Sequence, residues 1–136
     1  MEEPMEIKVS TEAGRVPVTV LHVDGNIDSV SYESFLAKAN DLISSGARHF
    51  LIDLQHVPLV SSAGLRAFNN IFIRLREVSP DVSDEAMRNG INAGTYKSPH
   101  LKLVNPSKAT RLALETSGFS MFLEITPDLI TGVASF

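Results

Sequence analysis

The chain has 136 residues, the length of one domain, and its 43% hydrophobic and 21% charged content is that of a globular protein. Sixteen acids against twelve bases give a formal net charge of −4, which argues against the basic face a nucleic-acid binder needs. The absence of cysteine excludes disulfides and thiolate metal sites.

No apolar run approaches the roughly 20 residues of a membrane span. The first residues, Met1-Glu2-Glu3-Pro4, carry the wrong charge for a secretory signal. A soluble cytoplasmic protein with no direct contact to membrane or nucleic acid is therefore expected.

Glu6 to Ser10 alternates polar and apolar residues, as a half-buried strand does. Thr11 to Arg15 reads as a turn, and the β-branched run Val16 to Val23 as a second strand closing a hairpin. Pro17 is tolerable there if it faces an edge or precedes the ladder. After the loop Asp24 to Ser29, Ser31 is placed to cap a helix from Tyr32 to about Ser45. Phe35, Leu36, Ala39, Leu42 and Ile43 recur in it at helical spacing, and Gly46 stands at its end. Phe50 to Leu54 has few polar positions and predicts a central strand.

The next helix is expected from Ser62 or Ala63 to Glu77, with Leu65, Phe68, Ile71, Phe72 and Leu75 in one stripe. Residues 79–98, rich in Pro, Gly and polar side chains, read as a mobile insertion holding a helical turn or two from Ser83 to Gly90. Leu101 to Val104 is a strand. Asn105-Pro106 starts a helix running to about Thr116, Met121 to Ile125 is a last strand, and 126–136 is a tail with one terminal turn. The order β-β-α-β-α-β-α-β predicts a single α/β domain. Its sheet is mixed and mostly parallel, of about five strands, with an N-terminal hairpin and helices packed on it.

The tests for chemistry are mostly negative. His22, His49, His56 and His100 include no i, i+4 pair of a zinc-hydrolase helix, and neither phosphate-binding glycine motif occurs. No metal or cofactor is expected. Ser62 lies between strand and helix like a hydrolase nucleophile, but a nucleophile elbow reads G-x-S-x-G and Val60 stands at the first glycine. Asp24, Asp28 and Asp53 fall near one sheet edge, where a receiver domain has a magnesium pocket. The adjacent acid pair and late-strand lysine of such a pocket are missing, so they read as capping and turn carboxylates.

The turn Val60-Ser61-Ser62-Ala63-Gly64-Leu65 is the most informative stretch. Ser61 or Ser62 can cap the helix, whose first amides and dipole favour an anion. A phosphate on Ser62 would add roughly −1.5 to −2 charges, acceptable to its own domain and adverse to a partner seated on it. Ser62, Arg66, Asn69 and Ile73 share one flank of the helix, away from the core stripe, and offer a docking face. Gly64 suits close approach of another backbone.

This combination resembles the STAS family, whose simplest members are bacterial anti-sigma factor antagonists. The residues that carry it are Leu21-His22-Val23-Asp24-Gly25-Asn26-Ile27-Asp28, Phe50 to Leu54, Val57 to Leu65, Asn105-Pro106-Ser107 and Thr116-Ser117-Gly118-Phe119. The likeness spans about residues 6–125. Family antagonists read Asp-Ser-Ser/Thr-Gly-Leu at the serine turn, with the first hydroxyl residue phosphorylated. Ser62 takes that position and Gly64 and Leu65 match. Ala63 replaces the second hydroxyl residue, and Ser61 stands where the aspartate is usual. That departure leaves two consequences open: weaker recognition by the usual kinase, or Ser61 as an alternative acceptor.

The resemblance implies a non-enzymatic, phosphorylation-switched antagonist, monomeric or weakly dimeric. It would bind an anti-sigma factor that is also a serine kinase and so free a sigma factor. A phosphatase would reset it, and ATP would belong to the kinase. The partner surface implied is Asp24, Asn26, Asp28, Ser61, Ala63 and Gly64 together with the flank Arg66, Asn69 and Ile73. The rival readings are a STAS scaffold of a signalling complex, an accessory subunit of a membrane transporter and, more remotely, a serine hydrolase.

Overall fold

A computed structural model describes residues 5–136; the acidic stretch 1–4 lies outside the described residues. Two strands, β1 (Glu6–Ala13) and β2 (Pro17–Asp24), form the expected hairpin, paired antiparallel without a break from Glu6↔Asp24 to Ala13↔Pro17. Pro17 opens β2, and the parallel ladder to β3 (Phe50–His56) begins only at Thr19, so its missing N–H costs that ladder nothing. β4 (Leu101–Val104) and β5 (Glu124–Thr126) continue the parallel sheet in the order β1-β2-β3-β4-β5. β3 is central, as its apolar run predicts.

Each parallel strand lies one place further along the sheet, and such crossovers are right-handed. Successive crossovers therefore put their helices on the same face. These are α1 (Tyr32–Ser44), α2 (Ser62–Val78) followed by α3 (Asp84–Ala93), and α4 (Lys108–Thr116). The main core forms there, with Leu21, Ile52, Leu54 and Leu103 of the sheet under Phe35, Phe68, Ile71 and Leu114. The Phe35 and Phe68 rings meet edge to face at 5.8 Å between centroids, a favoured aromatic geometry.

The opposite face is left to the end of the chain. Residues expected as a tail form α5 (Leu129–Ala134), capped by Asp128, whose carboxylate accepts from the Thr131 N–H at 2.7 Å. Leu129, Val133 and Phe136 cover a second apolar cluster of Val18, Val20, Leu51 and Val104. Gly132 permits the approach, since a Cβ there would lie 2.8 Å from a Leu51 methyl. The buried Lys102 ammonium secures the end of the chain. It donates to the Ser135 carbonyl at 2.7 Å and pairs with Glu124 at 2.8 Å, with the Phe136 ring 4.8 Å away. Burial, with the His100 and Lys102 charges, holds the neighbouring His49 below the ordinary histidine range.

Several boundaries differ from expectation. β1 runs on to Ala13 through residues read as turn, β3 runs on to His56, and Ser31 precedes α1 without capping it, its hydroxyl donating to the Asn26 carbonyl instead. Asn105 takes a left-handed backbone, φ 50°, so it cannot cap a helix; Ser107 caps α4 instead, accepting from the Thr110 N–H at 3.1 Å. Gly90 does not end α3. It lies inside the helix, where a Cβ would sit 2.7 Å from the Tyr96 Cβ, and Gly94 ends it at φ 74°. The run from Met121 divides between a 3-10 turn, Phe119–Met121, and the short β5.

Candidate functional site

The turn leading into α2 is built on backbone hydrogen bonds. Beyond the last regular pairing of β2 with β3, the two following loops remain zipped together. Gly25 N–H donates to the His56 carbonyl, Ile27 N–H to Leu59, and Ser61 N–H to Ile27, each at 3.0 Å. Ile27 and Val60 form a parallel bridge and are both buried. Gly64 is what lets α2 close on this bridge, because a Cβ would lie 2.5 Å from the Ile27 carbonyl oxygen. The backbone that Gly64 approaches is thus the chain's own. Gly64 and Ala63 are buried and offer a partner no side-chain surface, which corrects their place in the expected docking face.

The two serines separate sharply. Ser62 is exposed at the first position of α2. Ser61 occupies the N-cap position, but its hydroxyl is buried, lacks a hydrogen-bond partner among the described residues and caps nothing. Capping by either serine, as expected from sequence, does not occur. The N–H groups of Ser62, Ala63 and Gly64 have no hydrogen-bond acceptor among the described residues. They stand with the positive end of the helix dipole beside the Ser62 hydroxyl.

The flank read from helical spacing is on the surface: Arg66 and Ile73 are exposed, Ile73 by 44%, and Asn69 is half-buried. Arg66 makes no hydrogen bond or ion pair among the described residues and stands one turn after Ser62. Asp24, the last residue of β2, and Asn26 on the loop after it are exposed. Asp28 is engaged in its own loop, one carboxylate oxygen accepting from the Val30 and Ser31 N–H groups at 3.0 and 3.2 Å. Two apolar side chains escaped the sequence reading: Leu59, 49% exposed beside the serines, and Val30, 71% exposed before α1. Neither has periodicity to betray it, because both sit in loops.

The other readings of this edge fare differently. Asp53 does not join Asp24 and Asp28. Its Oδ2 is 3.0 Å from His22 Nδ1, and among the described residues no three acids, histidines or cysteines gather as metal ligands. No histidine bonds to Ser62 among the described residues, so nothing there would act as the base of a hydrolase.

At the far end of α2, residues 79–98 are tied down by charge. Arg76 meets Asp81 at 3.2 Å and Asp84 at 2.7 Å and donates to the Val82 carbonyl, while the Tyr96 hydroxyl donates to Asp81 at 2.6 Å. Burial alone would raise the Asp81 carboxyl. The Tyr96 hydroxyl, backbone amides and Arg76 outweigh it and hold Asp81 below the ordinary carboxylate range. The Arg76 hydrogen bond lowers Asp84, and burial, followed by the bond to Asp81, raises Tyr96.

Residues 8–82, more than half of the chain, match the STAS domain family, and the chain belongs to that family. An anti-sigma factor antagonist from Mycobacterium paratuberculosis has the same fold, with a TM-score of 0.72 at 18% identity over 99% of this chain and 97% of the other. The anti-sigma factor antagonist SpoIIAA in its unphosphorylated form superposes with a TM-score of 0.61 at 15% identity, covering 93% and 92%. At such identities the likeness establishes the fold. No curated protein sequence matches the chain. Among the described residues no helix is long and apolar enough to cross a membrane.

Proposed function

We propose that this protein is an anti-sigma factor antagonist that binds an anti-sigma factor, itself a serine kinase, through the surface around Ser62. Phosphorylation of Ser62 releases the complex, and a phosphatase restores it. The observation that carries this reading is the separation of the two serines: Ser62 faces solvent at the tip of α2, while the Ser61 hydroxyl is buried. Ser62 is therefore the acceptor and Ser61 is not.

A phosphate on Ser62 meets backbone amides without an acceptor among the described residues and a helix N-terminus, both of which favour an anion. Arg66, four residues on, is spaced for the favourable acid-before-base helical pair. The domain accepts the modification, while a partner seated over α2 meets new bulk and two charges to desolvate. The docking surface is Asp24 at the end of β2, Asn26 and Leu59 from the loops, and Arg66, Asn69 and Ile73 from the helix. The chain works as a cytoplasmic binding module, and catalysis of the phosphoryl transfer belongs to the kinase.

Incubation with ATP and a cellular kinase fraction, then mass spectrometry of the peptide holding both serines, tests this. Phosphate on Ser62 alone, lost in Ser62→Ala, is expected. Phosphate on neither serine would turn the assignment toward a signalling scaffold or a transporter accessory subunit, which co-purification would distinguish.

A further inference from the structure

Three side chains on adjacent strands form a hydrogen-bonded row on the sheet face that α5 only half covers. Ser10 of β1, His22 of β2 and Asp53 of β3 follow one another, with 2.9 Å from Ser10 Oγ to His22 Nε2 and 3.0 Å from His22 Nδ1 to Asp53 Oδ2. The register explains the meeting. His22 lies directly opposite Asp53, and Ser10 stands diagonally across from His22, opposite Val20. All three point to the face carrying Val18, Val20 and Leu51. The cover supplied by Leu129, Val133 and Phe136 leaves the His22 side chain 32% exposed, while Asp53 is 14% exposed.

The chemistry of the row is directional. An ionised carboxylate only accepts, so the proton between Asp53 and His22 resides on Nδ1. In the neutral ring Nε2 is then an acceptor, and the Ser10 hydroxyl donates to it. The Asp53 carboxylate is fixed in turn by the Gln55 N–H, which donates to its other oxygen at 3.0 Å. An oriented carboxylate, a histidine in the required tautomer and a hydroxyl bonded to its free nitrogen make an activated nucleophile. β1 is the sheet edge. In a regular antiparallel pair alternate residues of an edge strand turn their N–H outward, so Ser10 itself or both its neighbours, Val9 and Thr11, offer an unpaired donor beside the hydroxyl.

We propose that Ser10 is a reactive serine, with His22 as its base and Asp53 as the group that orients the base, and that it accepts small acyl groups from activated esters. Ser10 Oγ bonds to the ester carbonyl carbon as its proton passes to His22 Nε2. The bond from that carbon to the alcohol oxygen then breaks, and the alcohol leaves with the proton. Water then bonds to the acyl carbon as its proton passes to His22 Nε2; the bond from that carbon to Ser10 Oγ breaks, the proton returns from Nε2 to Oγ, and the carboxylic acid leaves. Reaction here rests on the nucleophile rather than on binding of the acyl chain, so it needs an ester with a good leaving group and is sought with a small acyl group. This activity is separate from docking at α2 and needs neither Ser62 nor a kinase.

The experiment uses the full chain with p-nitrophenyl acetate and, separately, a fluorophosphonate probe followed by mass spectrometry of the Ser10 peptide. Wild type should hydrolyse the ester at least tenfold faster than Ser10→Ala and carry the probe on Ser10. His22→Gln and Asp53→Asn, confirmed folded by thermal melting, should each lose at least tenfold in labelling rate. Ester hydrolysis undiminished in Ser10→Ala, no probe on Ser10, or equal labelling of a folded His22→Gln would each overturn the proposal. If the strand variants unfold, the wild-type peptide map alone decides it: an unlabelled Ser10 ends the claim.

Discussion

The two ends of α2 are held in opposite ways. Its start is locked by main-chain bonds and a glycine contact, with Ile27, Val60 and Gly64 meeting backbone to backbone. Its far end is locked by charged side chains, with Arg76 drawing in Asp81 and Asp84 and Tyr96 closing on Asp81. The first arrangement has no titrating group in its bonds. The second depends on ionisation and is where acid should act first. A switch that works by gaining charge is better built on the former.

Substitutions sharpen this contrast. Gly64→Ala has the largest expected effect, about 2–3 kcal/mol, because the new methyl collides with the Ile27 carbonyl, a backbone atom that cannot swing away. A thermal melt no lower than wild type would show that α2 slides freely on the bridge. Arg76→Ala should cost about 1–2 kcal/mol, less than a fully buried pair because Asp84 is largely exposed. Denaturant unfolding measures it.

Of the two ends of α2, the far one carries the pH dependence; away from α2, the lowered His49 costs stability as pH falls below about 6.5. Asp81 and Asp84 have lowered pKa values when folded. Their stabilisation is therefore present above the unfolded carboxylate value of about 4 and lost as pH falls through the folded values. Tyr96 is raised, so its contribution is present below about 10 and lost as pH climbs toward its folded value. Arg76→Ala should flatten the acid limb of a stability–pH curve; an unchanged limb would refute the assignment. Tyr96→Phe should cost about 1 kcal/mol. Ile73→Asp should change stability by less than about 0.5 kcal/mol yet weaken capture of the anti-sigma partner proposed above in a pull-down. Unaltered capture would remove Ile73 from the docking surface.

Much of this was legible in the sequence because it rests on local pattern. The alternation of Glu6 to Ser10, the apolar run at Phe50 and the stripe through Phe68 give the hairpin, the central strand and α2. The exposed place of Ser62 follows from the same helical spacing. What stayed hidden depends on neighbours remote in sequence. Asn105 looked like a cap until its left-handed backbone moved that role to Ser107. Gly90 looked like a stop until Tyr96 packed against it. Gly64 was read as room for a visitor, when the room is already filled by Ile27. The row of Ser10, His22 and Asp53 spans 43 positions of chain and exists only through strand register, so no motif could announce it.

The carbonyl of Leu59 holds the Ile27 amide while its side chain lies half in water, and the carbonyl of Asn26 receives the Ser31 hydroxyl while its own amide group points outward. Here the scaffold is written in atoms every amino acid shares, and recognition in atoms each residue may change. At the docking edge proposed above, exchange of these side chains leaves the backbone bonds in place, so recognition can diverge without rebuilding the fold.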